Sequence, residues 1–297
     1  MRAVGVESSG SYGAGLARYL LASGVPVLEV NRPHAHTRHR RGKSDAIDAE
    51  AAARKVLAGE AAAVPKDTTG VVEAIRQLKV ARDSAIKARA AALVQVGDLL
   101  VTAPAELREH LDRKTLRAKA VLCRRLRPNR SRVGEPLEAT KLALRSLAMR
   151  IAALDAEVLI LEQDLAELVR RAAPRTLGLL GVGIGHAAQL LVTAGQNIDR
   201  LHGEAAFAHL CGADPIPASS GKTIRHRLNP GGDRAANSAL HMIAVVRLRY
   251  CERTRSYTER RIAEGRTKKE IIRCLKRYIA REVYAALRAD LAALEMT

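Results

Sequence analysis

The stretch Ala139–Ala173, ATKLALRSLAMRIAALDAEVLILEQDLAELVRRAA, decides the fold class. Its Leu, Ile and Val residues recur near heptad spacing with charges between them, the pattern of a long helix burying one stripe. Upstream, VVEAIRQLKVARDSAIKARAAALVQVGDLLV (residues 71–101) repeats that periodicity opposite a Lys/Arg-rich face. Pro104 and the polar segment RPNRSRVGEP (residues 127–136) break the pattern between the two runs. Together they read as an antiparallel coiled-coil arm or a dimerising seam, and a solvated helical hairpin would carry the same pattern. Composition agrees. The chain is 47% hydrophobic but only 2% aromatic and lacks Trp, so its core is built from Ala, Leu and Val. Ala and Leu are strong helix formers, and the expectation is a mainly α protein.

The first 60 residues differ. RAVGVES and VPVLEVN read as short strands, SYGAGLARYLLASG as a helix ending at Gly24, and SDAIDAEAAARKVLAGE as a second helix. This β-α-β-α order belongs to half of an α/β domain, and two strands are too few to bury both faces of a parallel sheet. Between strand and helix lies HAHTRHRRGK (residues 34–43). Its His34, His36 and His39 stand among Arg38, Arg40 and Arg41, whose charge repels a metal ion, so a basic nucleic-acid loop is the better reading. The expected division is residues 1–66, 67–173 and 174–297.

Charge narrows the partner. A formal net charge of +19 is the footprint of a polyanion binder. No segment approaches the ~18 uninterrupted apolar residues of a spanning helix, and MRAVGVESSG turns polar too early for a signal peptide. The expected partner is therefore nucleic acid rather than a membrane, held mainly through phosphates because aromatics are scarce. The four cysteines, Cys123, Cys211, Cys251 and Cys274, form no CxxC pair, which argues against zinc and a disulfide framework and for a cytoplasmic protein.

Four segments could carry chemistry. In SDAIDAE, Asp45 and Asp48 share one helix face, and with Glu7 at the end of the first strand they could hold magnesium. Ser44 capping a helix start that favours acids accounts for the same residues. In GVGIG, Gly181 and Gly183 separate two short helices in the manner of a helix-hairpin-helix, whose amides can hold a DNA phosphate; a plain packing turn is the alternative. In CGADPIPASSGKTIRHRLNPGGDR, the SSGKT core resembles a Walker A loop, but Ile216 stands where its first Gly is required. What remains is a serine followed by Lys222, Arg225, His226, Arg227 and Arg234. A hydroxyl among cations suits attack on a phosphodiester, although serines in a basic loop can also only bind phosphates. The fourth segment is the basic helical tail, where Arg253, Arg255, Lys268, Lys269, Arg273, Lys276 and Arg277 are phosphate candidates.

Taken in order, VGVESSGSYGAGLARYL, GVPVLEVNRP and RRGKSDAIDAEAAAR resemble the N-terminal domain of the insertion-sequence 110/116/902 transposases. GVGIGHAAQLLVTAG, CGADPIPASSGKTIRHRLNPGGDRAAN and EIIRCLKRYIAREVY are similar to the C-terminal domain of that family. The resemblance implies a RuvC-like (ribonuclease H fold) domain with four magnesium-binding acids, a coiled-coil arm, and a transposase domain with a nucleophilic serine that forms a phosphoserine link to DNA. It also implies a structured guide RNA and assembly into a dimer or tetramer that completes the active site across subunits. Glu7 matches the second acid, Asp45 and Asp48 the third and fourth, and Ser220 the nucleophile, with Ser219 beside it. Where many members carry Arg after Gly-Gly-Asp-Arg, this chain has Asn237, so Arg234 is the substitute. The first acid belongs to a strand preceding Glu7. The expectation is thus a shortened RuvC-like domain, loosely held over its first ~60 residues. The reading is a DNA recombinase; the alternatives are a catalytically dead DNA/RNA-binding remnant and a nuclease using the acids alone.

Overall fold

The computed structural model describes residues 3–31, 44–111, 114–221 and 226–296. They form a mainly helical protein that divides into two compact units, residues 76–167 and residues 1–75 with 168–297. The loop of His34, His36 and His39, with Lys222 and Arg225, lies outside the described residues.

The unit of residues 76–167 is built on the two periodic runs. One becomes α3 (Gly70–Val101) and the other α6 (Pro136–Ala172), joined through α4 (Ala105–Leu111) and α5 (Leu116–Cys123). Along α6 the buried positions Leu144, Ala148, Ile151, Val158 and Leu165 keep a 3-, 4- or 7-residue spacing, so one stripe faces inward. It meets Ala92, Val96 and Leu100 of α3. Arg82 donates to Glu162 at 2.5 Å and Arg89 to Asp155 at 2.7 Å, so numbering rises along one helix as it falls along the other. The two helices are antiparallel. Asn129 accepts from Ser131 N ahead of α6, and Pro136 opens that helix where no N–H is needed.

In the other unit, β1 (Val4–Glu7) and β2 (Val27–Val30) pair in parallel, Val4 opposite Val27 and Glu7 opposite Val30. α1 (Ala14–Ala22) covers one face through Ala17, Val6 and Val27. α2 (Asp45–Leu57) covers the other through Ala52, Val56, Leu28 and Val30. The pair therefore has a helix on each face, where two strands alone were expected to leave a face open. Alternation puts Gly5 and Glu7 on the α2 side. Gly5 is needed there, because a Cβ would stand 2.8 Å from Val56 Cγ2 and 3.1 Å from the Ala52 carbonyl oxygen.

The larger core of this unit gathers around α12 (Lys268–Glu295), which contacts α7 (Pro174–Leu177), α9 (Glu204–Leu210) and α10 (Arg234–Tyr250); α10 in turn contacts α8 (Ile184–Ala194). α12 begins with a capping box in which Thr267 and Glu270 satisfy each other's backbone N–H. Its buried stripe, including Ile271, Ile279, Val283 and Leu287, meets a wall containing Phe207, Leu240 and Ile243. Each such side chain contributes roughly 1.5–3 kcal/mol on burial. Asp290, 2% exposed, accepts from Arg175 N, Thr176 N and the Thr176 hydroxyl, and so anchors the start of α7 to the end of α12. Among the described residues, no helix is long and apolar enough to cross a membrane.

Candidate functional site

The serine segment is a β-hairpin. β3 (Ile216–Pro217) and β4 (His226–Arg227) pair antiparallel, Ile216 opposite Arg227 and Pro217 opposite His226. Ser219 and Ser220 lie beyond β3 toward the tip, both exposed, and Gly221 follows with φ +56°. Arg227 on the returning strand and Arg234 at the start of α10 are also exposed.

The platform under this hairpin is polar and closely stitched. Gly232 lies against Gly212 so tightly that a Cβ would fall 2.2 Å from the Gly212 nitrogen. Asn229, 7% exposed, accepts from Gly231 N at 2.9 Å. Asp233 caps α10 by accepting from Ala235 N and Ala236 N, while its other oxygen accepts from the Thr193 hydroxyl at 2.7 Å. Asn237 donates to the carbonyls of Cys211 and Gly212, and its Oδ1 accepts from Lys276 Nζ at 2.8 Å. The Asn237 amide is thus fully used inside the fold. Burial, and next the neighbouring Arg273, pull the Lys276 ammonium below its usual range.

The tail's cations divide into two groups. Lys268 and Lys269 are exposed at the start of α12, Arg273 is half-buried, and Arg253 and Arg255 are exposed on α11 (Glu252–Ala263). Lys276 and Arg277 are not free for phosphate in this arrangement. Lys276 is 6% exposed and bound to Asn237, and Arg277 grips Glu204 through both terminal nitrogens. Helical spacing could not separate these two groups, because nothing local to the tail reveals the acceptors at positions 204 and 237.

The glycine turn is also divided. Gly181 adopts φ +87° and presses on α10, where a Cβ would stand 3.2 Å from the Ile243 carbonyl oxygen, so packing alone requires it. Gly183 is exposed in open space at the N-cap of α8, with no side chain capping that helix start.

The acids emerge at two element ends. Glu7 closes β1, half-buried; Asp45, exposed, and Asp48, half-buried, stand in the first turn of α2. Ser44 caps that turn by accepting from Ile47 N at 3.3 Å. Oxygen donors of this kind suit a hard divalent cation. Among the described residues, however, no three His, Cys, Asp or Glu side chains gather into a metal-binding group. The donor chemistry fits such an ion, whereas the gathering of ligands does not.

Comparison with known proteins joins the two halves. Residues 176–259, which contain the serine hairpin and all of its platform but Lys276, match the model of the Transposase IS116/IS110/IS902 family. Residues 2–103, which contain the three acids, match the DEDD transposase model of the IS110 type. The chain belongs to the IS110/IS116/IS902 transposase family. A curated relative of this IS110-family chain is the insertion element IS900 uncharacterized 42 kDa protein of Mycobacterium paratuberculosis, 28% identical over 158 residues. That match covers 52% of this chain and 39% of the relative, so the chain spans about two fifths of the relative's length. The DEDD match points to dependence on a divalent metal.

Proposed function

We propose that this chain acts as an insertion-sequence transposase that cuts and rejoins DNA through Ser220. The observation that carries the reading is an exposed serine following β3 of a hairpin whose returning strand carries the exposed Arg227, with the exposed Arg234 opening α10, inside the matched transposase segment. In the proposed step the Ser220 Oγ bonds to a backbone phosphorus. The phosphorus–oxygen bond to one neighbouring sugar breaks, and the leaving hydroxyl takes up the proton that Oγ gives up. Attack by another DNA hydroxyl reverses the step and frees the serine, so bond energy is conserved and no external energy source is needed. Arginines stabilise the charge that builds on the phosphoryl oxygens.

Magnesium is the ion we propose for Glu7, Asp45 and Asp48; when bound it would neutralise phosphate charge. The remaining ligand oxygens would come from nucleic acid or from another segment. The parallel β-α-β arrangement with a helix on each face supports reading residues 1–66 as RuvC-like, the antiparallel α3 and α6 support reading residues 67–173 as a coiled-coil arm, and the family match over residues 176–259 supports reading 174–297 as the transposase domain. The exposed amides at Gly183, with Lys268, Lys269 and Arg273, supply phosphate contacts for DNA and for a guide RNA. A dimer or tetramer is the proposed assembly.

The test is a covalent adduct. The purified chain, incubated with element-end DNA and magnesium, should yield a protein–DNA species stable to denaturing electrophoresis. Ser220→Ala should remove it by at least ~1000-fold while salt-sensitive DNA binding persists, and Ser219→Ala should keep it. An adduct that survives Ser220→Ala refutes the assignment.

A further inference from the structure

Only seven aromatic residues occur in the chain, six Tyr and one Phe. Two of them, Tyr257 of α11 and Tyr278 of α12, meet edge to face with ring centroids 5.8 Å apart. Both line a cleft of about 1120 Å³ whose floor includes the buried apolar Leu275 and Ile279. Its rim carries Arg253, Arg260 and Arg281. Tyr278 is 52% exposed there, so its ring is available as a surface. The Arg260 guanidinium lies 5.5 Å from the Tyr257 ring centroid, which orients that cation over the cleft wall.

The rim charge is only partly cancelled from within. Arg253 has no ion-pair partner among the described residues. Arg260 is only 3.9 Å from Glu264 and stays 69% exposed. Arg281 donates to Glu204 through Nε at 3.1 Å and Nη2 at 3.2 Å, alongside Arg277, so Arg253 and Arg260 are the freer cations of the rim. The acid lining the cleft, Glu282, is held by Arg247 at 2.6 Å, and Arg247 also donates to the Leu180 carbonyl. Burial first, then Cys274, pushes the Tyr257 phenol up to about 12, so it adds no negative charge at working pH.

We propose that this cleft receives an unpaired nucleotide of a bound strand, its base laid on the Tyr278 ring and its flanking phosphates held by Arg253 and Arg260. An apolar floor with a ring face suits a nucleobase, and a rim of cations suits phosphate. A base inside a duplex is already stacked and cannot reach a ring in a cleft, so the geometry selects against paired DNA. Nothing in the site distinguishes ribose from deoxyribose, and unpaired RNA and unpaired DNA share the chemistry. The inference rests on the nucleic-acid-binding part of the proposed function and concerns residues remote in sequence from Ser220.

The test uses the full chain and fluorescence anisotropy with a ~12-nucleotide oligo-dT, an oligo-U of equal length, and a blunt DNA duplex. Tyr278→Ala should weaken single-strand binding by about tenfold or more and leave duplex binding within about twofold, while Tyr278→Phe, which keeps the ring, should bind like the parent. Loss in both oligonucleotide arms assigns the cleft to either strand type; loss in one assigns it to that strand. Arg253→Ala with Arg260→Ala should lower the salt dependence of single-strand binding by about 1.4 in log–log slope. Unchanged single-strand affinity in Tyr278→Ala, or equal losses on strand and duplex, overturns the proposal. A parent chain that binds duplex but no single strand also overturns it, while the Ser220 adduct would still stand. The converse, Tyr278-dependent strand binding without an adduct, would sink the recombinase reading and leave the cleft in place.

Discussion

The acids and the serine stand on scaffolds made in different ways. Glu7, Asp45 and Asp48 project from the ends of a strand and a helix held together by one small apolar cluster around Val30 and Ala52 and by a close approach at Gly5. Ser220 projects from a hairpin followed by a network of buried Asn229 and Lys276 and half-buried Asp233 and Asn237. Apolar contact is tolerant, because side chains of similar volume replace one another at small cost. A polar network is not, because removing one member leaves its partners buried and unpaired. The serine region is therefore fragile at residues that never touch a substrate, whereas the acid region should tolerate changes at the acids themselves.

Asn237→Ala tests that contrast most severely. It removes two donors from buried carbonyls and the acceptor of a buried Lys276, and should cost about 2–4 kcal/mol. Asp45→Asn or Asp48→Asn should cost less than about 1 kcal/mol, since each loses only a favourable charge at a helix start. Urea unfolding followed by circular dichroism measures both. If Asn237→Ala is as mild as the acid variants, the hairpin is not held by its polar platform and the contrast fails.

Acid titration sharpens the comparison within the helical core. Hydrogen bonds from Arg277, then from Arg281, hold the Glu204 carboxyl down to about 2 from the ordinary 4.5. A depressed carboxyl stabilises the fold above its unfolded value, and that contribution is lost as pH falls from about 4.5 toward about 2. Glu204→Gln should therefore lower stability at neutral pH and flatten the loss of stability across that window. Melting temperatures recorded from pH 7 to pH 2 check this, and an unchanged acid profile would mean that solvent screens the triad.

These expectations also mark what the sequence could show. The mainly helical fold was legible because heptad spacing at Leu144, Ala148 and Ile151 is a local signal that tertiary packing enforces rather than overrides. The elements carrying the acids were legible because strand end and helix cap are set within a few residues, as at Ser44. The division of the tail was not. Lys276 and Arg277 share the basic pattern of Lys268 and Lys269, and only partners 39 and 73 residues away turn them inward. Tyr257 and Tyr278 escaped notice for the same reason, because scarcity of aromatics says nothing about their convergence.

Lys268 and Lys269 offer the mildest test, and one in which stability and binding should move in opposite directions. Both are exposed in the first turn of α12, where the helix dipole disfavours positive charge and the Glu270 capping box partly offsets it. Two cations placed against the dipole are a local cost, and a phosphate partner is the physical reason to keep them there. Replacing both by Ala should stabilise the isolated chain by a few tenths to about 1 kcal/mol, because Ala also favours the helix. The same variant should bind duplex DNA more weakly, with its log–log salt slope reduced by about 1.8, close to 0.9 for each phosphate that is no longer neutralised. A variant that gains stability and keeps the parental slope would reduce this helix start to a solvated basic face. The phosphate-binding groups would then have to lie elsewhere, with the exposed amides at Gly183 the next place to look.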